Sequence, residues 1–536
     1  MLAGVPAVTH CAHTLDLPFV LPPLSPVVIA PAHTPRHPTA DSVAPGSIML
    51  LGPMVLRCMV ACRALLRPSP RMLTMSAGAA GGRTTRLPGD LLVREHTLSV
   101  PLDHKSPRGS QLSLFVRELV PASKASDASL PCVLYLQGGP GFPSGRPTSP
   151  PGGWQKAALD TPFRILLLDQ RGTGRSTPVS KQSLSAIEGG PAGQAAYLEH
   201  FRADSIVRDC EVVRKSLAGG SKVSLLGQSF GGFCILSYLS LFPESIERAL
   251  FTFGLAPVGQ KAEDVYRATF KRMEERNRRF YERYPQDIEL VRTLVRELHE
   301  NPASLPRGGT LTPRRFLMVG LLLGSASGFE SLHDLLEMSI PRCGNGGGSA
   351  TLPDDFLLAI ESAQQGFETN PIYWLLHESI YCDGPAMGAS EWAAERVQAE
   401  LGESWDYATR LEAGDEPINL SGEMVYSWMG EDFAWLRPLK PTADILAAKA
   451  DWGPLYDAKM LRSPKCPPVA ALVSYEDIYV ERDFSERTAR MLGPEGGGTA
   501  RLWITNEFQH SGLRDQPAVV FERLMKMAKG DIAIPS

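Results

Sequence analysis

Gly227-Gln228-Ser229-Phe230-Gly231 lies between an apolar run, residues 223–226, and an apolar, helix-like run, residues 233–242. A Gly-x-Ser-x-Gly pentapeptide at a strand-to-helix junction puts its serine on a very sharp turn. The residues two places either side must then be nearly free of side chain, because anything larger at Gly227 or Gly231 meets the packed strand and helix. The chain must therefore contain a buried strand, a helix laid against it, and a serine hydroxyl presented at their junction.

The surrounding sequence supplies the frame for such a junction. From about Leu87 short apolar runs bounded by turn residues recur at 111–120, 133–136, 165–169, 223–227, 250–254, 469–474 and 501–505. Runs of this kind read as buried parallel strands, covered on both faces by the helical stretches between them. The fold class expected is α/β: an α/β-hydrolase fold with a mostly parallel, doubly wound sheet. Between Gly254 and Val469 the strand rhythm stops. Residues 262–284 and 288–299 carry apolar residues three and four apart with Arg, Lys and Glu elsewhere, so this insertion reads as a helical cap whose charged faces are solvated. The organisation expected is a leader over 1–86, the first part of the core over 87–256, the cap over 257–463, and the rest of the core over 464–536. A cap inserted before the acid-bearing strand would cover the carboxyl ends of the strands, where ligands bind in such sheets, and would favour small substrates or chain ends. The glycine runs at 344–347 and 496–498 read as loop tips.

Bulk composition excludes some classes. The 536-residue chain has a formal net charge of −4 and no basic stripe, which argues against nucleic acid as a partner. Its nine cysteines have no metal-ligand spacing, and an odd number in so long a chain fits reduced, buried thiols. The leader is different in character. It holds Arg36, Arg57, Arg63, Arg67, Arg71, Arg83 and Arg86 but no lysine, and its only acids are Asp16 and Asp41. That composition reads as a plastid or mitochondrial transit peptide, the alternative being a cytoplasmic product whose true start is Met72 or Met75. Residues 48–62 are apolar but interrupted by Gly52, Pro53 and Arg57, too short a stretch for a stable membrane span.

A neutral serine needs a base to take its proton and a third group to hold that base. On this fold the order along the chain is serine, acid, histidine. The last two strand-like runs end in Glu476-Asp477 and in Gln509-His510-Ser511-Gly512. Asp477 is assigned as the orienting acid and His510 as the general base, with Glu476 as the neighbouring competitor. The oxyanion formed in acyl transfer needs preoriented N–H donors. The Phe230 amide, directly after the serine, should be one. Gly138 or Gly139, in Gln137-Gly138-Gly139-Pro140-Gly141 after the 133–136 run, should supply the other.

These segments, with Asp169-Gln170-Arg171-Gly172-Thr173-Gly174-Arg175-Ser176, resemble the prolyl aminopeptidases (proline iminopeptidases) among the α/β-hydrolases. The likeness extends through Asn370-Pro371-Ile372-Tyr373, His377-Glu378, Ser421 to Tyr426, and the Asp477 and His510 segments, and matches the longer, large-capped branch. One departure is Gln137, where shorter relatives carry His. The resemblance implies hydrolysis of the bond after an N-terminal proline, short peptides as substrates, and no metal or organic cofactor. A desolvated cationic terminus needs a paired carboxylate, and Glu378 and Glu423, in the family-like cap segments, are the candidates. Phe230, Tyr373, Trp374 and Tyr426 could line the ring pocket or be plain core. Gln170 and Arg171 are expected to tie neighbouring loops together. A broader amino- or tripeptidyl peptidase, an esterase, and a non-catalytic receptor or scaffold are the alternatives.

Overall fold

The computed structural model describes residues 82–148, 151–340, 352–494 and 500–533. The leader up to residue 81 and the glycine runs at 344–347 and 496–498 lie outside the described residues, and with them the transit-peptide reading. Eleven strands follow in chain order: β1 (Thr84–Leu87), β2 (Leu91–Pro101), β3 (Gln111–Pro121), β4 (Cys132–Leu136), β5 (Arg164–Asp169), β6 (Val223–Gln228), β7 (Ile246–Thr252), β8 (Ala303–Ser304), β9 (Thr310–Leu311), β10 (Val469–Ser474) and β11 (Ala500–Thr505). Nine of them make one sheet in the order β1-β2-β3-β5-β4-β6-β7-β10-β11, and β8 and β9 form a separate hairpin. Strands β5, β4, β6, β7, β10 and β11 run parallel.

Two features differ from the sequence reading. The 111–120 run, read with the parallel strands, is β3 and pairs antiparallel with both β2 and β5. The chain also enters the sheet at Thr84, before Leu87, through an antiparallel β1–β2 pair that mixed polar and apolar residues had hidden.

Alternation sorts the central strands onto two faces, one of which packs against helix α1 (Gly153–Asp160). Leu134, Leu136, Leu166, Leu168 and Leu225 join the cluster under helices α2 (Ala203–Leu217) and α3 (Phe230–Leu241). Val133, Tyr135, Ile165, Leu167, Leu226, Leu250 and Leu472 join the opposite cluster, which includes Val520, Phe521 and Leu524 of the C-terminal helix (Pro517–Lys529).

The junction of β6 and α3 is as tight as the pentapeptide requires. Ser229 has φ +54° and ψ −126°, a strained conformation for a residue with a side chain. It is fixed by its N–H donating to Thr252 O (2.9 Å) and its carbonyl accepting from Gly232 N (2.7 Å). A Cβ on Gly227 would lie 2.7 Å from the Gly231 carbonyl carbon, and one on Gly231 only 2.0 Å from Leu136 O. Both neighbours are backbone and cannot swing away. Gly231→Ala is therefore expected to cost about 3 kcal/mol or more, or to prevent folding, as read by chemical denaturation.

The insertion between β7 and β10 carries helices α4 (Ala262–Arg283), α5 (Gln286–Glu300), α6 (Ala393–Leu401) and several others, as well as the β8–β9 hairpin. All described residues belong to one compact unit. The charged side of α4 is only partly solvated. Arg278 and Arg283 are exposed, but Arg272 pairs with Glu481 (2.5 Å), Arg279 with Glu476 (2.6 Å), and buried Arg276 donates to Leu323 O (3.1 Å). Helix α4 thus grips the segment that follows β10.

Candidate active site

Strands β10 and β11 are in register to their ends, with Ser474 opposite Thr505. The loops leaving them are therefore neighbours, and they bring together two residues 33 apart in the chain. His510 Nδ1 lies 2.8 Å from Asp477 Oδ2. A carboxylate only accepts, so Nδ1 carries the proton and Nε2 keeps its lone pair. Asp477 Oδ1 accepts from the N–H groups of Tyr479 (2.8 Å) and Val480 (3.0 Å), which fixes the carboxylate from behind. Both side chains are buried. Glu476 points elsewhere, to Arg279, so the two adjacent acids have different partners.

The serine turn, at the carboxyl end of β6, is tied to this pair by two contacts. Gln228, the residue before Ser229, donates through Nε2 to the carbonyl of His510 (3.2 Å). The Phe253 ring, one residue past the carbonyl that holds the Ser229 amide, lies 5.5 Å from the imidazole. The insertion completes the enclosure. The His510 N–H donates to Gly324 O (2.8 Å), and Tyr479 packs edge-on against the imidazole at 4.8 Å while its hydroxyl donates to Leu321 O. Tyr479 and Gly324 escaped sequence reasoning. Gly324 must be glycine because a Cβ there would sit 2.0 Å from the Tyr479 ring, and a lone glycine in an apolar run carries no such signal.

The Gln137–Gly141 loop closes over Ser229. A Cβ on Gly138 would lie 2.9 Å from both Ser229 Cβ and Gln228 O, and one on Gly141 2.9 Å from Ile372 Cβ. Only bare backbone fits between the serine and the cap. Phe230, which opens α3, is buried against Phe233. As the sequence suggests, Gln170 and Arg171 reach across loops. Gln170 Nε2 donates to Gln137 O (3.0 Å). Arg171 grips Asp209 through two nitrogens (2.7 and 2.6 Å) and donates to the carbonyls of Pro101, Leu102 and His200.

Of the two cap acids, Glu423 stands nearer the histidine pair. Its Oε1 accepts from the Tyr373 hydroxyl (2.5 Å). Burial pushes its carboxyl up to about 7; His510 and the Tyr373 hydroxyl pull it down, and Asp477 pushes it further up. Glu378 is buried in the cap, where Oε1 accepts from Ala394 N (3.1 Å) at the start of α6, and Oε2 has no hydrogen-bond partner among the described residues. Burial raises this carboxyl to about 7 as well, against hydrogen bonds from Ser390, Ala394 and Ala393. Burial raises the hydroxyls of Tyr266 and Tyr381, and both carboxylates push them further up, so the two acids border one aromatic enclosure.

The candidate ring-pocket residues divide. Tyr373 reaches Glu423 and packs edge-on to Phe142 of the Gln137 loop side. Trp374, by contrast, donates to Tyr426 O and stacks on Trp392, and Tyr426 stacks on Trp428, so both belong to the cap's own packing. Among the described residues no helix is long and apolar enough to cross a membrane.

Comparison with known proteins finds relatives over most of the chain. A family model described as "alpha/beta hydrolase fold" matches residues 131–290. A proline iminopeptidase of Aeromonas sobria is 45% identical over 433 residues, 81% of this chain and 95% of that one. A proline iminopeptidase of Aspergillus aculeatus is 36% identical over 451 residues, covering 83% and 95%. A tripeptidyl aminopeptidase of Streptomyces coelicolor is 27% identical over 183 residues, only 28% of this chain and 33% of that one.

Proposed function

The chain belongs to the proline iminopeptidase family of the α/β-hydrolases, and from that premise we propose how its residues carry out the reaction. The enzyme is a serine-type prolyl aminopeptidase, hydrolysing the bond after an N-terminal proline of a peptide through an acyl-enzyme. The broader-peptidase and esterase readings are not favoured. In the proposed mechanism Ser229 is the nucleophile, His510 the general base and Asp477 the acid that orients it. Glu423 and Glu378 take the cationic imino terminus of short peptides, and Tyr373 helps to hold Glu423.

Ser229 gives its proton to His510 Nε2 and adds to the prolyl carbonyl, while Asp477 stabilises the imidazolium from Nδ1. The amides of Phe230 and of Gly138 or Gly139 hold the oxyanion. His510 then returns the proton to the leaving amine, and a water activated by the same nitrogen hydrolyses the prolyl ester. No step calls for a cofactor.

The observation that carries this reading is the 2.8 Å His510–Asp477 contact near a buried acid, Glu423, whose carboxyl feels the charge of both residues. An esterase has no use for that acid, because its substrate brings no cation. A panel of aminoacyl-naphthylamides tests the specificity. The prolyl substrate should exceed alanyl and leucyl ones in kcat/KM by about tenfold or more, the discrimination a shaped apolar pocket supplies. Equal rates across the panel would contradict it.

A further inference from the structure

Glycines 138 and 139 have no side chains with which to hold their own peptide planes, so something else must set the direction of their amides. The hold comes from the neighbouring strand's loop. Strands β4 and β5 run parallel side by side, so Gln137 and Gln170 emerge together at their carboxyl ends. Gln170 is 1% exposed, and its Nε2 donates to the Gln137 carbonyl at 3.0 Å. Gln170 is itself mounted on a closed turn: its carbonyl accepts from the Thr173 N–H (3.0 Å) and hydroxyl (2.8 Å). The far end of the glycine loop is tied to the same segment, Ser144 donating through N to Asp169 Oδ1 (3.2 Å) and through Oγ to Leu168 O (2.8 Å).

In a trans peptide the carbonyl and the next N–H point in opposite directions. Pinning Gln137 O therefore fixes the plane that carries the Gly138 N–H and the course of the chain into Gly139. It does so where Gly138 all but touches Ser229. We infer that Gln170 is a positioning residue for oxyanion stabilisation, its carboxamide keeping the Gly138–Gly139 amides turned toward the carbonyl that Ser229 attacks. This rests on the proposed role of that loop as oxyanion donor. Without the bond, the Gln137 carbonyl loses its donor and the loop can rotate away, as a peptide flip would.

The test compares ground-state with tetrahedral binding. In Gln170→Leu, which keeps bulk but cannot donate, kcat for prolyl-naphthylamide is expected to fall about ten- to a hundredfold, part of what a lost oxyanion donor costs. KM and inhibition by L-proline should stay within about twofold of wild type. Inhibition by L-prolinal, whose aldehyde carbon accepts the serine oxygen while its carbonyl oxygen takes the oxyanion site, should weaken by the same factor as kcat. Gln170→Glu decides the matter even if the leucine variant yields no folded enzyme. A carboxylate cannot donate to Gln137 O but a protonated acid can, so its rate relative to wild type should rise as pH falls. Unchanged kcat and prolinal affinity in Gln170→Leu, or a pH-independent ratio for Gln170→Glu, would overturn the inference. If wild type bound prolinal no better than proline, the donor-loop reading would fail instead. Tight prolinal binding by wild type, lost in Ser229→Ala but unaltered in Gln170→Leu, would sink only the role of Gln170.

Discussion

Ser229→Ala should lower kcat for prolyl-naphthylamide by about 10⁴-fold or more, leaving only what binding and oxyanion stabilisation contribute. Only the serine hydroxyl group is removed, and the backbone bonds of Ser229 to Thr252 and from Gly232 do not involve the side chain. The unfolding midpoint should therefore stay close to that of wild type. His510→Gln should cost a comparable factor, and the double variant little more than either alone, because nucleophile and base act as a unit. Simple addition of the two losses in a steady-state assay would mean that the residues act separately and that the proposed mechanism is wrong.

Glu423→Gln carries the second large effect. An N-terminal proline is cationic at neutral pH, and desolvating that charge needs a charged partner. Replacing the carboxylate with an amide of the same shape should cost about 2–3 kcal/mol of binding, some thirty- to two-hundredfold, chiefly in KM. The pH dependence has a definite sign. Burial raises the Glu423 carboxyl from its usual 4.5 to about 7, so it is protonated below that pH and cannot pair with the substrate. KM of the wild type should rise as pH falls from 8 to 6, and KM of Glu423→Gln should rise less steeply over the same range, Glu378 alone remaining to titrate there. The same shift acts on stability in the opposite sense. A folded state that holds a proton more tightly than the unfolded chain is favoured at low pH, and that advantage is lost as pH rises through about 7. Glu423→Gln should thus be poorer at binding yet no less stable at pH 8. A KM profile that keeps its wild-type slope in the variant would remove Glu423 from substrate recognition.

Much of this was legible in the chain because it rests on local pattern. The strands at 133–136, 165–169, 223–227 and 469–474 are buried on both faces, and doubly buried strands read as uninterrupted apolar runs. The sharp serine turn announces itself through glycines at fixed offsets. Asp477 and His510 could be paired in advance because their positions follow from strand order. Direction and partner choice were harder. Nothing in residues 111–120 distinguishes an antiparallel neighbour from a parallel one, and the half-polar β1–β2 pair leaves no clean alternation. Sequence could not separate Glu476 from Asp477, because the difference lies with Arg279, 197 residues away on α4. The hold of Gln170 on Gln137 and the fit of Gly324 against Tyr479 depend on contacts between distant segments, which leave no periodic trace. Glu378 and Glu423 were named through family likeness, and position alone could not have told the one beside His510 from the one at the start of α6.

The most direct test is to react the protein with a fluorophosphonate, digest it and map the adduct by mass spectrometry, with L-prolinal as competitor. A single adduct on Ser229, suppressed by prolinal and by His510→Gln, is the predicted result. Labelling at another residue, or none on Ser229 in active enzyme, would contradict the convergence of Ser229, Asp477 and His510 on one reacting carbonyl.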